Sequence, residues 1–271
     1  MNAFPTDVRR SPASLADYQA AGLDISRHGL FDPTARPESS IHDFTTLRGR
    51  PGGKAGATNP VAGVKMLNMV NGKGDAENVG QPGPTYSNGA IRFDANVTSR
   101  SIRLSSSPRK SNMLIGAWYR STGVRTASDN NRLFGIGGLF NTVLVADKIG
   151  GPCTQFQAPM AGGNAIIDSA ALRSSFSDGQ LHFLAMTNLS SAGGKHRAVL
   201  ILDGIRLPEG GDWTNDASGA GDATIGTPDA VGTIIGGFYR TIVEDLDASG
   251  MTIEQVSAQE LRHRDHIESL G

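Results

Sequence analysis

From Gly89 to the C-terminus, apolar residues recur at every second position in short runs, and this period restricts the fold more than any other feature of the chain. Ala90-Ile91-Arg92-Phe93 and Ser101-Ile102-Arg103-Leu104 alternate apolar with polar side chains. Ile91 with Phe93, and Ile102 with Leu104, therefore share one buried strand face each. Residues 113–119, 132–136, 142–146, 182–187, 197–202, 233–235 and 238–246 continue the series. Turn-forming clusters separate the runs: Asp129-Asn130-Asn131, Gly150-Gly151-Pro152, Gly162-Gly163-Asn164, Gly193-Gly194 and Gly210-Gly211. Between the runs there is no amphipathic stretch of the about 10–15 residues that a crossover helix needs, which argues against parallel α/β architecture. The expectation is an all-β chain, an antiparallel jelly-roll sandwich with an extended N-terminal arm and a short C-terminal helix. With 35 Gly among 271 residues and only 19% charged residues, the composition suits many short strands joined by tight turns.

Local chemistry refines this frame. Asp203-Gly204, between the apolar run 198–202 and Ile205, predicts a hairpin turn at positive φ. Asp178-Gly179 hands over to a strand at His182, and Trp118 and Phe183 are bulky enough to fill the space between two sheets. Thr252 with Gln255 three residues on has capping-box spacing, and Gly250 marks the break before it. In the helix that follows, Val256, Ala258, Leu261 and Ile267 would face the sandwich, with Arg262, His263, Arg264, Asp265 and His266 toward solvent.

Residues 1–42 read as the arm, and residues 43–271 as the sandwich domain. The arm contains Pro5, Pro12, Pro33 and Pro37 and has no sustained apolar period, although Ser14 to Gly22 has room for a short helix. The arm is expected to dock either on its own domain or on a neighbouring chain, and the lack of an apolar face large enough to hold itself down favours the neighbour, met through Phe4, Arg9, Arg10, Tyr18, Arg27 and Phe31. From Thr45 to Gly74 there are five basic residues, Arg48, Arg50, Lys54, Lys65 and Lys73, and no acidic one. That stretch reads either as a cationic patch for an acidic partner or as a solvated loop. A formal net charge of −1 argues against a globally basic nucleic-acid binder, and no aromatic residues are interleaved there to stack bases. One cysteine, Cys153, excludes an intrachain disulfide framework and a Cys-rich zinc site. No apolar run suits a secretory signal or a membrane-spanning helix, so synthesis in a cytoplasm and no membrane partner are expected.

The order of motifs resembles the concanavalin A-like lectin/glucanase superfamily, in its laminin-G-like branch. Met113-Leu114-Ile115-Gly116-Ala117-Trp118-Tyr119 is similar to its apolar strand ending in Trp. Asp178-Gly179-Gln180-Leu181-His182 is similar to its Asp-Gly-x-Trp-His strand entry, with Leu181 where Trp is usual. Residues 198–204 match its strand ending in Asp-Gly, and Ile235-Gly236-Gly237-Phe238 with Val243-Glu244-Asp245-Leu246 match its late strand. The resemblance covers about residues 43–270 and implies a two-sheet sandwich.

Catalytic members pair carboxylates in a Glu-x-Asp-x-x-Glu strand, since glycoside cleavage needs two carboxyl groups flanking one bond. Here Asp245 and Asp247 share a strand face by spacing, but the trailing Glu is absent. Gln180-Leu181-His182 matches half of a polysaccharide-lyase pattern and lacks its Arg-x-Glu-Leu-Arg strand. The chain is therefore expected not to be an enzyme. His263 with His266 is a poor zinc pair, and Cys153 has no evident His partner. Asp212, Asp216, Asp222 and Asp229 fall in a Gly-rich segment that could supply calcium ligands or be a plain solvated loop; no other cofactor is expected. Trp213 in the same segment could stack on a sugar, with Asp216 beside it.

A lectin-like sandwich without an export signal, preceded by a docking arm, suits a bacteriophage virion protein. The expected role is capsid decoration or a head- or tail-attached fibre component, bound to other virion proteins by the arm and self-associating into a homo-oligomer. The alternative is a carbohydrate-binding module for host surface glycans, and a third reading is a polysaccharide-degrading enzyme.

Overall fold

The computed structural model describes residues 38–47, 49–53, 56, 59–61, 63–70, 73–79, 84–93, 101–108, 112–124, 131–136, 140–160, 163–166, 169–190, 192–208, 212–214, 220–226 and 234–270. Its strands are β1 (Ser39–Asp43), β2 (Lys65–Met66), β3 (Ala76–Asn78), β4 (Thr85–Ser87), β5 (Ala90–Phe93), β6 (Ser101–Pro108), β7 (Met113–Val124), β8 (Asn131–Ile136) and β9 (Phe140–Ala146). They continue with β10 (Cys153–Met160), β11 (Gly163–Ile166), β12 (Leu181–Ser190), β13 (Lys195–Leu202), β14 (Ile205–Arg206), β15 (Asp212–Thr214), β16 (Ala220–Gly226) and β17 (Ile234–Asp245). The helices are α1 (Ala170–Ser175), α2 (Leu246–Ser249), α3 (Ile253–Glu260) and α4 (Arg264–Glu268).

The strands form two antiparallel sheets, the sandwich expected from the sequence. The first runs β14-β13-β12-β7-β17-β5-β4, with β1 also paired to β17 and β15 to β13. The second runs β11-β10-β9-β8-β16-β6-β3-β2. Strand β17 is continuous through Gly236-Gly237, where two strands are expected from the sequence. Gly236 pairs with Phe93 and Gly237 with Arg92, and a Cβ on Gly237 would lie 2.9 Å from that of Ala90. The glycines thus admit a close neighbour instead of ending the strand.

The two sheets differ in what covers them. Between them lies a core built from Ile115, Ala117 and Tyr119 of β7, Leu184 and Met186 of β12, Ile102 and Leu104 of β6, and Leu144 of β9. A second apolar layer, with Leu114, Trp118, Phe183, Val199 and Tyr239, lies on the other face of the first sheet, under Ile253 and Val256 of α3 and Ile267 of α4. Strand β7 is therefore buried on both faces, which explains its near-continuous apolar sequence. Gly116 on this outer face leaves room for the Phe183 ring, since a Cβ there would meet Phe183 Cζ at 3.0 Å.

Several local features depart from the sequence reading. Residues 39–42, expected to end the arm, belong to the buried strand β1 of the sandwich. Helix α1 and strands β10, β11 and β16 were not anticipated. Ser169 caps α1 by accepting from Leu172 N, and the following Phe176 stacks on Tyr119 (5.3 Å) and Phe156 (5.9 Å). The C-terminal helix is present with both hydrogen bonds of its capping box, Thr252 Oγ1 from Gln255 N and Gln255 Oε1 to Thr252 N. A 3-10 turn at Leu261–His263 links it to α4. Val256, Glu260, His263 and Ile267 form the buried stripe at helical spacing, so His263 is buried, while Ala258, two residues from Val256 and so on the far side of the helix, is exposed, both opposite to expectation.

Candidate functional site

Three polar assemblies stand out on this scaffold. The first is buried under the C-terminal helices. Arg240 of β17 is fully buried; it donates from Nε and Nη2 to the two Glu260 oxygens (2.8 and 2.9 Å) and from Nη1 to Asp43 Oδ2 (2.9 Å). Asp43 also accepts from the Thr45 amide and hydroxyl, and buried Glu244 accepts from Ser39 Oγ at 3.0 Å. These bonds weld β1 and α3 to the middle of the first sheet, and their burial keeps substrate away.

The second joins residues that carry the family resemblance. His182 Nδ1 lies 2.6 Å from Asp203 Oδ2, and its Nε2 lies 3.1 Å from Asp178. Asp203 also accepts from Phe183 N (2.9 Å) and Arg264 Nη2 (2.7 Å), while the Arg264 guanidinium sits 5.3 Å from the Trp118 ring centroid. Partial burial works against the imidazolium, but the bonds and charges of Asp203 and then Asp178 outweigh it and raise the His182 pKa. Partial burial likewise opposes the Asp203 carboxylate, and the His182 and Phe183 N hydrogen bonds prevail and lower its pKa. Asp203 takes φ 50° and Gly204 φ 85°, the expected hairpin. With both ring nitrogens of His182 engaged by carboxylates, the assembly fastens hairpin, strand and α4 together. Trp118 and Phe183, expected between the two sheets, lie instead in the apolar layer on the outer face of the first sheet, because that face is the one the C-terminal helices cover.

The third assembly crosses the outer face of the second sheet. Alternation along β6 turns Ile102 and Leu104 inward and Arg103 outward, and Met66, Ala76, Ala223 and Ile225 inward on the neighbouring strands. Lys65 of β2, Glu77 of β3, Arg103 of β6 and Asp222 of β16 consequently form a row. Glu77 accepts from both Lys65 and Arg103, and Arg103 Nη1 donates to Asp222 at 3.4 Å. Thr224 and Val145 lie partly exposed on the same face. The helices α3 and α4 pack on the other sheet, so neither lies across this row.

The residues expected to carry function are distributed differently. Phe4, Arg9, Arg10, Tyr18, Arg27, Phe31 and Asp216 lie outside the described residues. Trp213 is in β15, opposite His196, and its side chain lies outside the description. The expected calcium segment is corrected: Asp212 belongs to β15 in the first sheet and Asp222 to β16 in the second, so the two do not share a loop. Asp245 and Asp247 do not share a strand face either, because β17 ends at Asp245, which caps α2 by accepting from Ala248 N, while Asp247 accepts from Asn112 Nδ2. In the basic stretch Lys65 is paired with Glu77, and Arg50 donates to Thr45 O. Cys153 is buried with Sγ against Gln155 O, and burial pushes its thiol up to about 11, away from nucleophilic use. The row of ion pairs was missed; its one signal was the outward position of Arg103 in an alternating run.

No protein-family model matches the chain, and no curated protein matches it. Solved structures do. A Trypanosoma rangeli sialidase in complex with sialic acid matches with TM-score 0.55 at 10% identity, over 96% of this chain and 39% of that one. A second structure of Trypanosoma rangeli sialidase matches with TM-score 0.53 at 10% identity, over 97% and 40%. Domain 4 of an extracellular arabinanase from Geobacillus stearothermophilus, in complex with arabinotriose, matches with TM-score 0.48 at 14% identity, over 81% and 96%. The chain thus spans about two fifths of the sialidase, and the likeness is one of fold. It corrects the expectation of a non-enzyme: a protein named as an enzyme contains this fold, so the missing Glu-x-Asp-x-x-Glu pattern is no argument against catalysis.

Proposed function

We propose that this chain is a glycan-binding sandwich of the concanavalin A-like kind, which holds a saccharide across the outer face of its second sheet. The observation that carries this reading is the unequal covering of the sheets. Among the described residues, the first sheet carries a second apolar layer under α3 and α4, while the other presents Lys65, Glu77, Arg103 and Asp222 as a fixed polar row. Side chains already held by one another lose little freedom when sugar hydroxyls replace water, so such a row is pre-organised for hydrogen bonding. The sialidase supports the reading by analogy of fold, being a protein that takes a sugar ligand. The reading embraces a chain that only binds and one that also cleaves. A glycan array with the full chain and with Arg103→Ala, both checked for folding by circular dichroism, tests it. Binding by the first and its loss in the second are expected; no binding by the wild type, or equal binding by both, refutes the reading.

A second reading sets this domain in a bacteriophage virion, attached to capsid or tail by the segment before β1. The locking of β1 by Ser39–Glu244 and Asp43–Arg240 favours it, since any load on that segment would pass directly to β17. Limited proteolysis of the free chain and of a particle containing it is the test. Cleavage before residue 38 in the free chain, with protection in the particle, is expected; equal cleavage in both refutes attachment.

A further inference from the structure

We infer that the turn at Asp178-Gly179 is a pH-operated latch, closed while the His182 ring carries both of its protons and released when it loses one. A neutral imidazole has one N–H and one lone pair, so a ring with a carboxylate at each nitrogen is matched only as the cation. His182 is held in this way, with Asp203 Oδ2 at 2.6 Å from Nδ1 and the two Asp178 oxygens at 3.2 and 3.1 Å from Nε2. Loss of one proton leaves one of the carboxylates facing a lone pair, and the two anchors are unequal. Asp203 lies closer to the ring and is fixed by Phe183 N and Arg264 Nη2 as well. The Asp178 side chain is 35% exposed and, among the described residues, has one other hydrogen bond, from Gln180 N at 2.8 Å. The remaining proton therefore stays on Nδ1, and Asp178 is the partner that Nε2 repels. Burial keeps the protons of Tyr119 on β7, whose ring lies 6.0 Å from the imidazole, and of Cys153 on β10. Of the nearby cations, Arg173 on α1 acts on Cys153, and Arg264 on α4 pairs with Asp203 and Glu268. His182 is thus the group that changes charge. Against its partial burial the two carboxylates raise its pKa above 6.5, so release comes on the alkaline side of that value.

The latch acts on the segment that leads from α1 into β12. Gly179 N donates to Ser121 O at 2.8 Å and Ser121 Oγ to Phe176 O at 2.7 Å, so release of Asp178 loosens residues 176–180 from β7. Strand β12 keeps its ladders to β7 and β13 in both states, and the opening is local. Hydrogen exchange of the full chain tests this, followed at the amides of residues 177–180 and corrected for the pH dependence of the intrinsic rate. In wild type their protection is expected to fall by about tenfold or more between about pH 6 and about pH 9, and by more than that of β12 and β13. Asp178→Asn sets an N–H donor against the neutral Nε2 and is expected to keep the turn closed at both pH values. Asp178→Ala has a partner for neither state and is expected to leave it open at both. Wild-type protection that does not change with pH would overturn the inference, as would a fall shared equally by β12 and β13. An Asn variant that follows the wild type, or an Ala variant as protected as the wild type in acid, overturns it as well.

Discussion

Replacing Arg240 by Met removes the cation that stands between Asp43 and Glu260 and leaves a shorter, uncharged side chain in its place. Three hydrogen bonds of 2.8–2.9 Å are lost, and two carboxylates that are 2% and 1% exposed are left facing each other. Breaking a buried pair from one side costs about 3–5 kcal/mol, because the remaining charge can be neither solvated nor compensated. For a chain of this size each kcal/mol moves the melting temperature by about 2–4 °C, so a fall of about 10 °C is expected. Glu260→Leu should cost a similar amount, since it strands half of the guanidinium. The two together should not add: the double variant replaces both partners by apolar groups and leaves Arg240's other partner, Asp43, still bonded to the Thr45 amide and hydroxyl. Urea denaturation of the wild type, both single variants and the double closes the cycle, with an expected coupling of about 2–3 kcal/mol. A loss below about 1 kcal/mol for Arg240→Met, or a double variant as unstable as the sum of the singles, would show that these charges do not hold β1 and α3 to the sheet.

Other consequences can be measured on the same material. His42 is fully buried on β1, and burial lowers its pKa from 6.5 to about 4, so only the unfolded chain takes up its proton as pH falls between these values. Its share of stability is complete above pH 6.5 and shrinks by about 3 kcal/mol down to pH 4, so wild type should lose stability more steeply than a folded His42→Gln variant over that range; parallel curves would argue against it. His182 behaves with the opposite sign. Its raised pKa stabilises the fold fully below 6.5, and that share is lost as pH rises through the raised value. An NMR titration should place its midpoint above 6.5 and show it falling in Asp203→Asn, and a midpoint at or below 6.5 in the wild type would contradict the arrangement. Thr252→Ala removes one arm of the capping box and should cost about 1 kcal/mol, read by thermal melting; a cost near zero would mean that the apolar contacts of α3 alone set its start.

The local grammar of the chain was legible in its sequence because it is written within a few residues. The period-two alternation at Ile91-Phe93 and Ile102-Leu104 is a property of the strand itself, and both pairs are buried as expected. Asp203-Gly204 is a hairpin because Gly tolerates positive φ, and Thr252-Gln255 is a cap because those side chains reach only their own backbone. Where a signal was weak the reading failed locally: α1 has six residues and no amphipathic repeat, and strand β16 is masked by Gly and Asp that suggest a loop.

What the sequence did not contain is the pairing of distant segments. Arg240 and Asp43 are 197 residues apart, and Arg103 and Asp222 are 119 apart, so no spacing rule connects them. Alternation assigned Arg103 to the face opposite Ile102 and Leu104. It left open which sheet the C-terminal helices would cover, and they dock on the sheet that carries Trp118, Phe183 and Val199, the one with a second apolar layer to bury. Strand period follows from backbone geometry, which each residue carries with it. The site follows from which surfaces are removed from water when the chain closes, and that is a property of the whole.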